Sequence, residues 1–177
     1  MPPSWATGEM CSYALVQPSI VSTGESLSFI HTLFLDFDGV LNNEPFLRQM
    51  RSEGEMDRLF DPVNIEAFDG LCEAVSVSEV IISSSWRKGR TVRELQTLLE
   101  QNRSLKAGLV RGVTPEIGER GDEIVAWLER NPRESFLVVD DFPLEEYFPD
   151  RFLRTSTWVG LSPSAVEEWL DRKLKGS

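Results

Sequence analysis

Three short apolar runs, each followed directly by polar side chains, most constrain how this chain can fold. Fully apolar runs of this length are typical of strands that are buried on both faces of a parallel sheet. Their ends all carry carboxylates or hydroxyls, which a strand end exposes toward a ligand. The runs and their polar ends are Leu33–Leu35 with Asp36 and Asp38, Val80–Ile82 with Ser83–Ser85, and Phe136–Val139 with Asp140 and Asp141.

Helical patterns separate these strands. Side-chain caps predict that helices begin at Asp61, at Thr91, at Asp122 and at Ser162, the first and last with proline in the first turn. Weaker strands are expected near Leu109-Val110 and over Phe152–Thr155, whereas residues 43–60 show no clear period and are interpreted as a loop or flap. The alternation predicts an α/β fold: a three-layer, Rossmann-like, mainly parallel sheet flanked by helices.

The 177 residues are expected to form a short arm and one domain. Residues 1–28 are rich in Pro, Ser and Gly and are interpreted as an N-terminal arm of uncertain order, whereas residues 29–177 are expected to form a single α/β domain. The two cysteines, Cys11 and Cys72, lack metal-ligand spacing, so we interpret them as a tail thiol and a helix-core thiol in a reducing compartment.

Charge and hydropathy limit the partners. The formal net charge of -11 disfavours broad nucleic-acid binding, although a local basic patch would still allow it. We expect no membrane association and a cytoplasmic location, since the chain shows neither a spanning segment nor a signal peptide. The single histidine, His31, precedes the first strand and is expected to be structural, which disfavours Ser-His catalysis.

The polar strand ends should meet, because ligands bind beyond the carboxyl ends of such sheets. Residues i and i+2 of a strand point the same way, so Asp36 and Asp38 would project together. Carboxylates without a histidine or cysteine cluster favour Mg²⁺ over zinc. A serine hydroxyl and free backbone N–H groups at a strand-to-helix turn can hold a phosphate once a cation offsets the carboxylates.

Three segments resemble the first, second and fourth motifs of the haloacid dehalogenase (HAD) superfamily. They are Asp36–Leu41, Ile81–Arg87 and Val138–Asp141, and the resemblance extends over roughly Thr32 to Ser162. Together with Arg120–Ile124 and Trp127-Leu128, they make the chain similar to small bacterial and phage HAD-domain hydrolases, whose relatives also occur in RNA-repair proteins.

The resemblance implies a division of roles. Asp36 would be the nucleophile that forms an aspartyl-phosphate, and Asp38 would protonate the leaving oxygen and later activate water. Asp36, the Asp38 backbone carbonyl and Asp141 would bind Mg²⁺, with Asp140 binding directly or through water. Ser83 or Ser84 would hold the phosphate, and the sequence leaves open which one does.

The chain departs from the superfamily at the third motif, which normally supplies a lysine. No lysine occurs between Lys106 and Lys173, and Arg120 stands at about the right place. Arg87 and Lys88, which follow the serine cluster, are the alternatives. Neither residues 43–60 nor residues 108–118 are long enough for a large cap domain, so a capless enzyme with an open site is expected.

The leading hypothesis is therefore a HAD-type phosphatase, a Mg²⁺-dependent phosphomonoester hydrolase that acts on a small molecule or an exposed phosphate end. Two alternatives stay open: a nucleic-acid end phosphatase in repair, and a catalytically idle phosphate-binding or scaffolding module. The aromatic residues near the strand ends are candidates for substrate contact or for rim packing. They are Phe46, Trp86, Phe142 and Tyr147.

Overall fold

The computed structural model describes residues 29–175, which contain one five-stranded sheet. The order in the sheet is β3-β2-β1-β4-β5, and every neighbouring pair is parallel, which confirms the predicted fold class. The strands are β1 (Thr32–Leu35), β2 (Glu79–Ile82), β3 (Val110–Val113), β4 (Phe136–Asp140) and β5 (Phe152–Arg154). The predicted arm, with Cys11, lies outside the described residues.

Five α-helices accompany the sheet, and three of the four predicted caps are found. Asp61 accepts from the Val63 N–H, Thr91 forms a full capping box with Glu94, and Ser162 accepts from the Ala165 N–H. The helices are α1 (Glu44–Glu53), α2 (Pro62–Ala74), α3 (Val92–Gln101), α4 (Arg120–Arg130) and α5 (Pro163–Lys175).

The prediction of a loop over residues 43–60 was wrong, since α1 lies there. The Asn43 side chain accepts from the Phe46 N–H and begins the helix, and Gly54, with φ of 77°, ends it. Only Phe46 and Met50 of α1 are buried. Two apolar positions form too narrow a stripe to show a helical period, which is why the pattern was missed.

The cap predicted at Asp122 was also wrong. Helix α4 begins two residues earlier, at Arg120, and Glu119 precedes it without a capping hydrogen bond from its side chain. Asp122 instead lies in the first turn, where a carboxylate is favourable beside the positive end of the helix dipole. The earlier start matters, because it makes Arg120 the first residue of the helix.

Alternating strand residues face two separate apolar layers. Leu33, Leu35 and the equivalent residues of the neighbouring strands pack against α2, α3 and α5. Phe34 and its neighbours on the other face pack with Ile124 of α4. Cys72 is buried in the first layer, where burial raises the pKa of its thiol, so it is an inert core residue.

The connections within residues 29–175 hold no second sheet and no inserted domain, so the carboxyl ends of the strands are left without a large cap. Of the helices in this part of the chain, none combines the length and the hydropathy that crossing a membrane requires.

Candidate active site

The site lies at the carboxyl ends of β1 and β4, between which the strand order of the sheet reverses. The chain runs from β1 to β2 on one side and returns to β4 on the other, so β1 and β4 flank the point at which connections part. Leu35 pairs with Val139, and the Asp36 N–H donates to the Val139 carbonyl at 3.1 Å. This register sets Asp36 beside Asp140, the last residue of β4.

Three carboxylates meet at this point. Oxygen atoms of Asp36, Asp140 and Asp141 all lie within 4.8 Å of one another, and they form the one such acidic group found among residues 29–175. Asp36 is 3% exposed and Asp140 is fully buried. The Asp36 Oδ1 has no hydrogen-bond partner in the described part of the chain. A buried, crowded set of carboxylate oxygen ligands fits a hard divalent cation such as Mg²⁺.

Burial and crowding both oppose ionisation of these acids. Burial raises the pKa of Asp36, while Arg120 and, more weakly, the Ser84 hydroxyl act to lower it. Burial and the neighbouring Asp36 raise the pKa of Asp140 to about 7, against the opposing effect of Arg120. Positive charge is therefore needed at this point, and a bound cation would stabilise the ionised form of both groups.

Arg120 supplies part of that charge. Its Nη1 atom lies 2.9 Å from Asp36 Oδ2 and 2.5 Å from Asp140 Oδ2. Although burial opposes the charged form, the two carboxylates raise the pKa of Arg120, so the guanidinium stays charged. Because Arg120 is the first residue of α4, the start of that helix determines where the guanidinium lies.

Arg87, one of the alternatives to Arg120, is fully occupied elsewhere. Its guanidinium is buried, lies 2.6 Å from Glu123 Oε2 and donates to four backbone carbonyls. Those carbonyls belong to Ser83, Ser84, Thr114 and Pro115. The other alternative, Lys88, is exposed on the same turn. Among these three cations, only Arg120 has a described contact with Asp36.

The two serines differ in their surroundings although both are fully buried. Ser84 Oγ accepts from the Trp86 N–H at 3.4 Å, and the Ser84 hydroxyl contributes to lowering the pKa of Asp36. Ser83 Oγ has no hydrogen-bond partner within residues 29–175. Of the two serines, Ser84 is the one whose hydroxyl lowers the pKa of Asp36.

Asp38 lies apart from the buried carboxylates and is exposed. Its Oδ1 accepts from Asn42 Nδ2 at 2.9 Å, and its Oδ2 accepts from Trp86 Nε1 at 2.8 Å. Asn42 also accepts from the Gly39 N–H at 3.1 Å. Sequence reasoning missed Asn42, whose only signal was an amide four residues after Asp38 in a glycine-containing turn.

Asp141 is held close to the backbone of the first motif. Gly39 has φ of +67°, and a Cβ built there would lie 2.3 Å from Asp141 Oδ2. Thr157 Oγ1 donates to Asp141 Oδ2 at 2.7 Å, and Thr155 Oγ1 donates to the Gly39 carbonyl at 2.6 Å. Both threonines follow β5 and carried no sequence pattern that pointed to the site.

The four aromatic candidates divide into two pairs. Trp86 contacts Asp38, and Phe142, which is 51% exposed, lines a cavity of about 190 Å³ together with Arg120 and Lys88. Tyr147 donates its hydroxyl to Asp122, and Phe46 is buried in α1. Trp86 and Phe142 are thus the aromatic residues that lie at the site.

Comparison with known proteins identifies the family of the chain. The model of a family described as the HAD domain in Swiss Army Knife RNA repair proteins matches residues 32–166. Searches of curated proteins and of solved structures returned no significant match. The family match supports a hydrolase function of the phosphatase type. Since it covers more than half of the sequence and includes every residue of the acidic group, the chain belongs to this family of HAD domains.

Proposed function

We propose that the protein is a Mg²⁺-dependent phosphomonoester hydrolase that works through an aspartyl-phosphate on Asp36. The observation that carries the proposal is the state of the Asp36 carboxylate. Arg120 pairs with Oδ2, whereas the buried Oδ1 has no hydrogen-bond partner among the described residues. An oriented carboxylate with one unpaired oxygen suits nucleophilic attack.

The reaction divides into two steps. In the first, Asp36 Oδ1 forms a bond to phosphorus as the bond to the leaving oxygen breaks, and Asp38 gives that oxygen a proton. In the second, water attacks the phosphorus of the aspartyl-phosphate and gives a proton to Asp38, while the bond between phosphorus and Asp36 Oδ1 breaks. Phosphate departs, and both aspartates return to their starting forms.

The residues around Asp36 suit the charge changes of these steps. Ser84 and Arg120 would bind phosphoryl oxygens, the arginine through N–H groups that do not contact Asp36 or Asp140. Asp36, Asp140, Asp141 and the Asp38 backbone carbonyl would hold Mg²⁺. When bound, the cation supplies positive charge that offsets the phosphoryl oxygens and the carboxylates.

Hydrolysis of p-nitrophenyl phosphate by the full chain tests the proposal. We expect turnover with Mg²⁺, loss of turnover with EDTA, and a decrease of at least about 1,000-fold in kcat for Asp36→Asn. The control is Asp122→Asn, because Asp122 is an exposed carboxylate outside the acidic group. Turnover that survives EDTA or the Asp36→Asn change would refute the assignment.

A phosphate analogue tests the same site without turnover. Beryllofluoride should form an adduct on Asp36 in the wild-type protein with Mg²⁺, and no adduct in Asp36→Asn. The absence of an adduct on Asp36 in the wild-type protein would instead favour an idle phosphate-binding module.

A second candidate is a phosphatase that acts on nucleic-acid ends. The description of the matched family favours it, as do aromatic rings with cations beside the site. Arg90 lies 5.7 Å from the centroid of the Trp86 ring, and Lys88 lies near the exposed Phe142 ring. The net charge of -11 counts against it. Equal kcat/KM on a phosphorylated oligonucleotide and on a mononucleotide would exclude it.

A further inference from the structure

We propose that Trp86 is a positioning residue for Asp38. The indole N–H, together with the Asn42 amide, holds the Asp38 carboxyl in one orientation, from which it passes a proton to the leaving oxygen. The inference rests on the proposed function, and it assigns a role to a side chain that does not itself exchange a proton.

The two hydrogen bonds determine the orientation of the Asp38 side chain. Trp86 Nε1 donates to one oxygen at 2.8 Å, and Asn42 Nδ2 donates to the other at 2.9 Å. A carboxylate offers about four lone-pair positions, so each oxygen can accept one of these bonds and still carry or receive a proton. Without them, an exposed aspartate would sample several rotamers.

Trp86 itself is held in place by the core. Its ring centroid lies 5.8 Å from that of Phe37 and 5.6 Å from that of Phe60, and these two rings are 5.1 Å apart. Phe37 is fully buried and Phe60 is 2% exposed. A donor whose own rotamer is locked by packing can orient an exposed carboxyl more exactly than a mobile side chain can.

The same turn also supplies the serine next to Asp36. Ser84 precedes the short 3₁₀ turn Ser85–Arg87, and its Oγ accepts from the Trp86 backbone N–H. Arg87 anchors that turn through the carbonyls of Ser83 and Ser84. The position of the Ser84 hydroxyl and that of the Asp38 carboxyl are thus determined by one element.

The Trp86→Phe variant tests the role, because it keeps an aromatic ring against Phe37 and Phe60 but removes the N–H donor. The measurement is kcat/KM for two substrates, p-nitrophenyl phosphate and phenyl phosphate. The nitrophenolate leaves readily without a proton, whereas phenolate is a stronger base and needs the acid. We expect kcat/KM to fall about tenfold more for phenyl phosphate than for p-nitrophenyl phosphate.

Two further variants calibrate the ratio of kcat/KM for p-nitrophenyl phosphate to kcat/KM for phenyl phosphate. Asp38→Asn should change it in the same direction and by more, and Trp86→Phe should add little in that background. Arg133→Gln is the matched control, since Arg133 stacks on the ring of another tryptophan, Trp127, and has no described hydrogen bond to Asp38. Its ratio should equal that of the wild type. An equal fall on both substrates in Trp86→Phe would overturn the inference, whereas a wild type inactive on both would refute the proposed function.

A spectroscopic measurement tests the contact between Trp86 and Asp38 without turnover. In proton NMR of the full chain, the Trp86 indole N–H signal should shift in Asp38→Asn relative to the wild type, because the carboxyl group that accepts from Trp86 Nε1 is replaced by an amide. The Trp127 signal is the internal reference, since Trp127 packs against Phe34 on the α4 side of the sheet. An unmoved Trp86 signal would overturn the inference whatever the kinetics show.

Discussion

At the scale of single residues, the site depends on one glycine as much as on its carboxylates. Gly39 adopts a left-handed conformation, and its α-carbon lies against Asp141 with no room for a methyl group. Thr155 bonds to the Gly39 carbonyl and Thr157 to the Asp141 carboxylate, so both partners of this contact are held in place. The separation between the first-motif backbone and the Asp141 carboxylate, which we propose as a Mg²⁺ ligand, is therefore set at Gly39.

Gly39→Ala should weaken Mg²⁺ binding. A methyl group 2.3 Å from Asp141 Oδ2 must displace that carboxylate, so we expect the Mg²⁺ concentration for half-maximal turnover to rise at least about tenfold. The free energy of unfolding should also fall by about 1 kcal/mol, because alanine is disfavoured at the positive φ of position 39.

Gly54→Ala is the matched control for Gly39→Ala. Gly54 has φ of +77°, but a Cβ there would meet nothing within 4 Å. It should show a similar loss of stability in thermal denaturation and an unchanged Mg²⁺ requirement. The same Mg²⁺ dependence in both variants would mean that the Asp141 contact does not set the position of the metal ligand.

At the scale of elements, a buried ion pair joins the turn after β2 to the segment that leads into α4. Arg87 bonds to carbonyls on both sides, and Glu123 lies 2.6 Å from it and accepts from the Ile117 N–H. This pair connects the segment that carries Ser84 with the helix that begins at Arg120. It explains why Arg87, although adjacent to the serines, is unsuited to binding substrate.

Arg87→Met should lower the free energy of unfolding by about 3–5 kcal/mol, because it leaves Glu123 buried without its partner. The double variant Arg87→Met/Glu123→Met should be more stable than Arg87→Met alone. Urea denaturation measures both.

Arg154→Met is the control for an ordinary ion pair. Arg154 lies 2.9 Å from Glu145, but both side chains are about half exposed, so removing the arginine should cost less than about 1 kcal/mol. If Arg87→Met lowered the free energy of unfolding by no more than Arg154→Met does, the ion pair with Glu123 would not be what joins the turn after β2 to the segment that leads into α4.

At the scale of the whole molecule, one carboxylate connects the three central strands at the edge opposite the site. Glu79, the first residue of β2, accepts from Thr32 of β1 at 2.7 Å and from Arg133, before β4, at 2.8 Å. Burial alone would raise the pKa of Glu79, but hydrogen bonds from Arg133 and Thr32 outweigh it and lower the pKa.

The lowered pKa predicts a pH dependence of stability. Since ionised Glu79 is favoured in the folded state, its contribution is full above its unfolded pKa of about 4.5 and is lost as pH falls through the lower, folded value. Glu79→Gln should cost about 1–2 kcal/mol at pH 7 and progressively less below about pH 4. Urea denaturation from pH 7 to pH 3 measures the difference, and a pH-independent difference would contradict the prediction.

Much of the element order could be predicted because it rests on local signals. The Asp61 and Thr91 caps and the apolar strands follow from neighbouring residues, and so does the parallel α/β class. Helix α1 could not be read, since only two of its residues are buried, and α4 was placed two residues late because Glu119 gives no capping signal. At the site, sequence patterns indicate Asp36, Asp140 and Asp141, whereas no pattern indicates Asn42, Thr155 or Thr157.

The sequence by itself determined which chemical groups stand at the strand ends, because carboxylates and hydroxyls directly follow each buried apolar run. Only the tertiary structure decided which of them meet. The register of β1 against β4 brings Asp36 beside Asp140, and the start of α4 brings Arg120 to both. It also separated Asp38 from the acidic group and set it against Trp86. These contacts join residues far apart in the chain, so no local pattern can encode them.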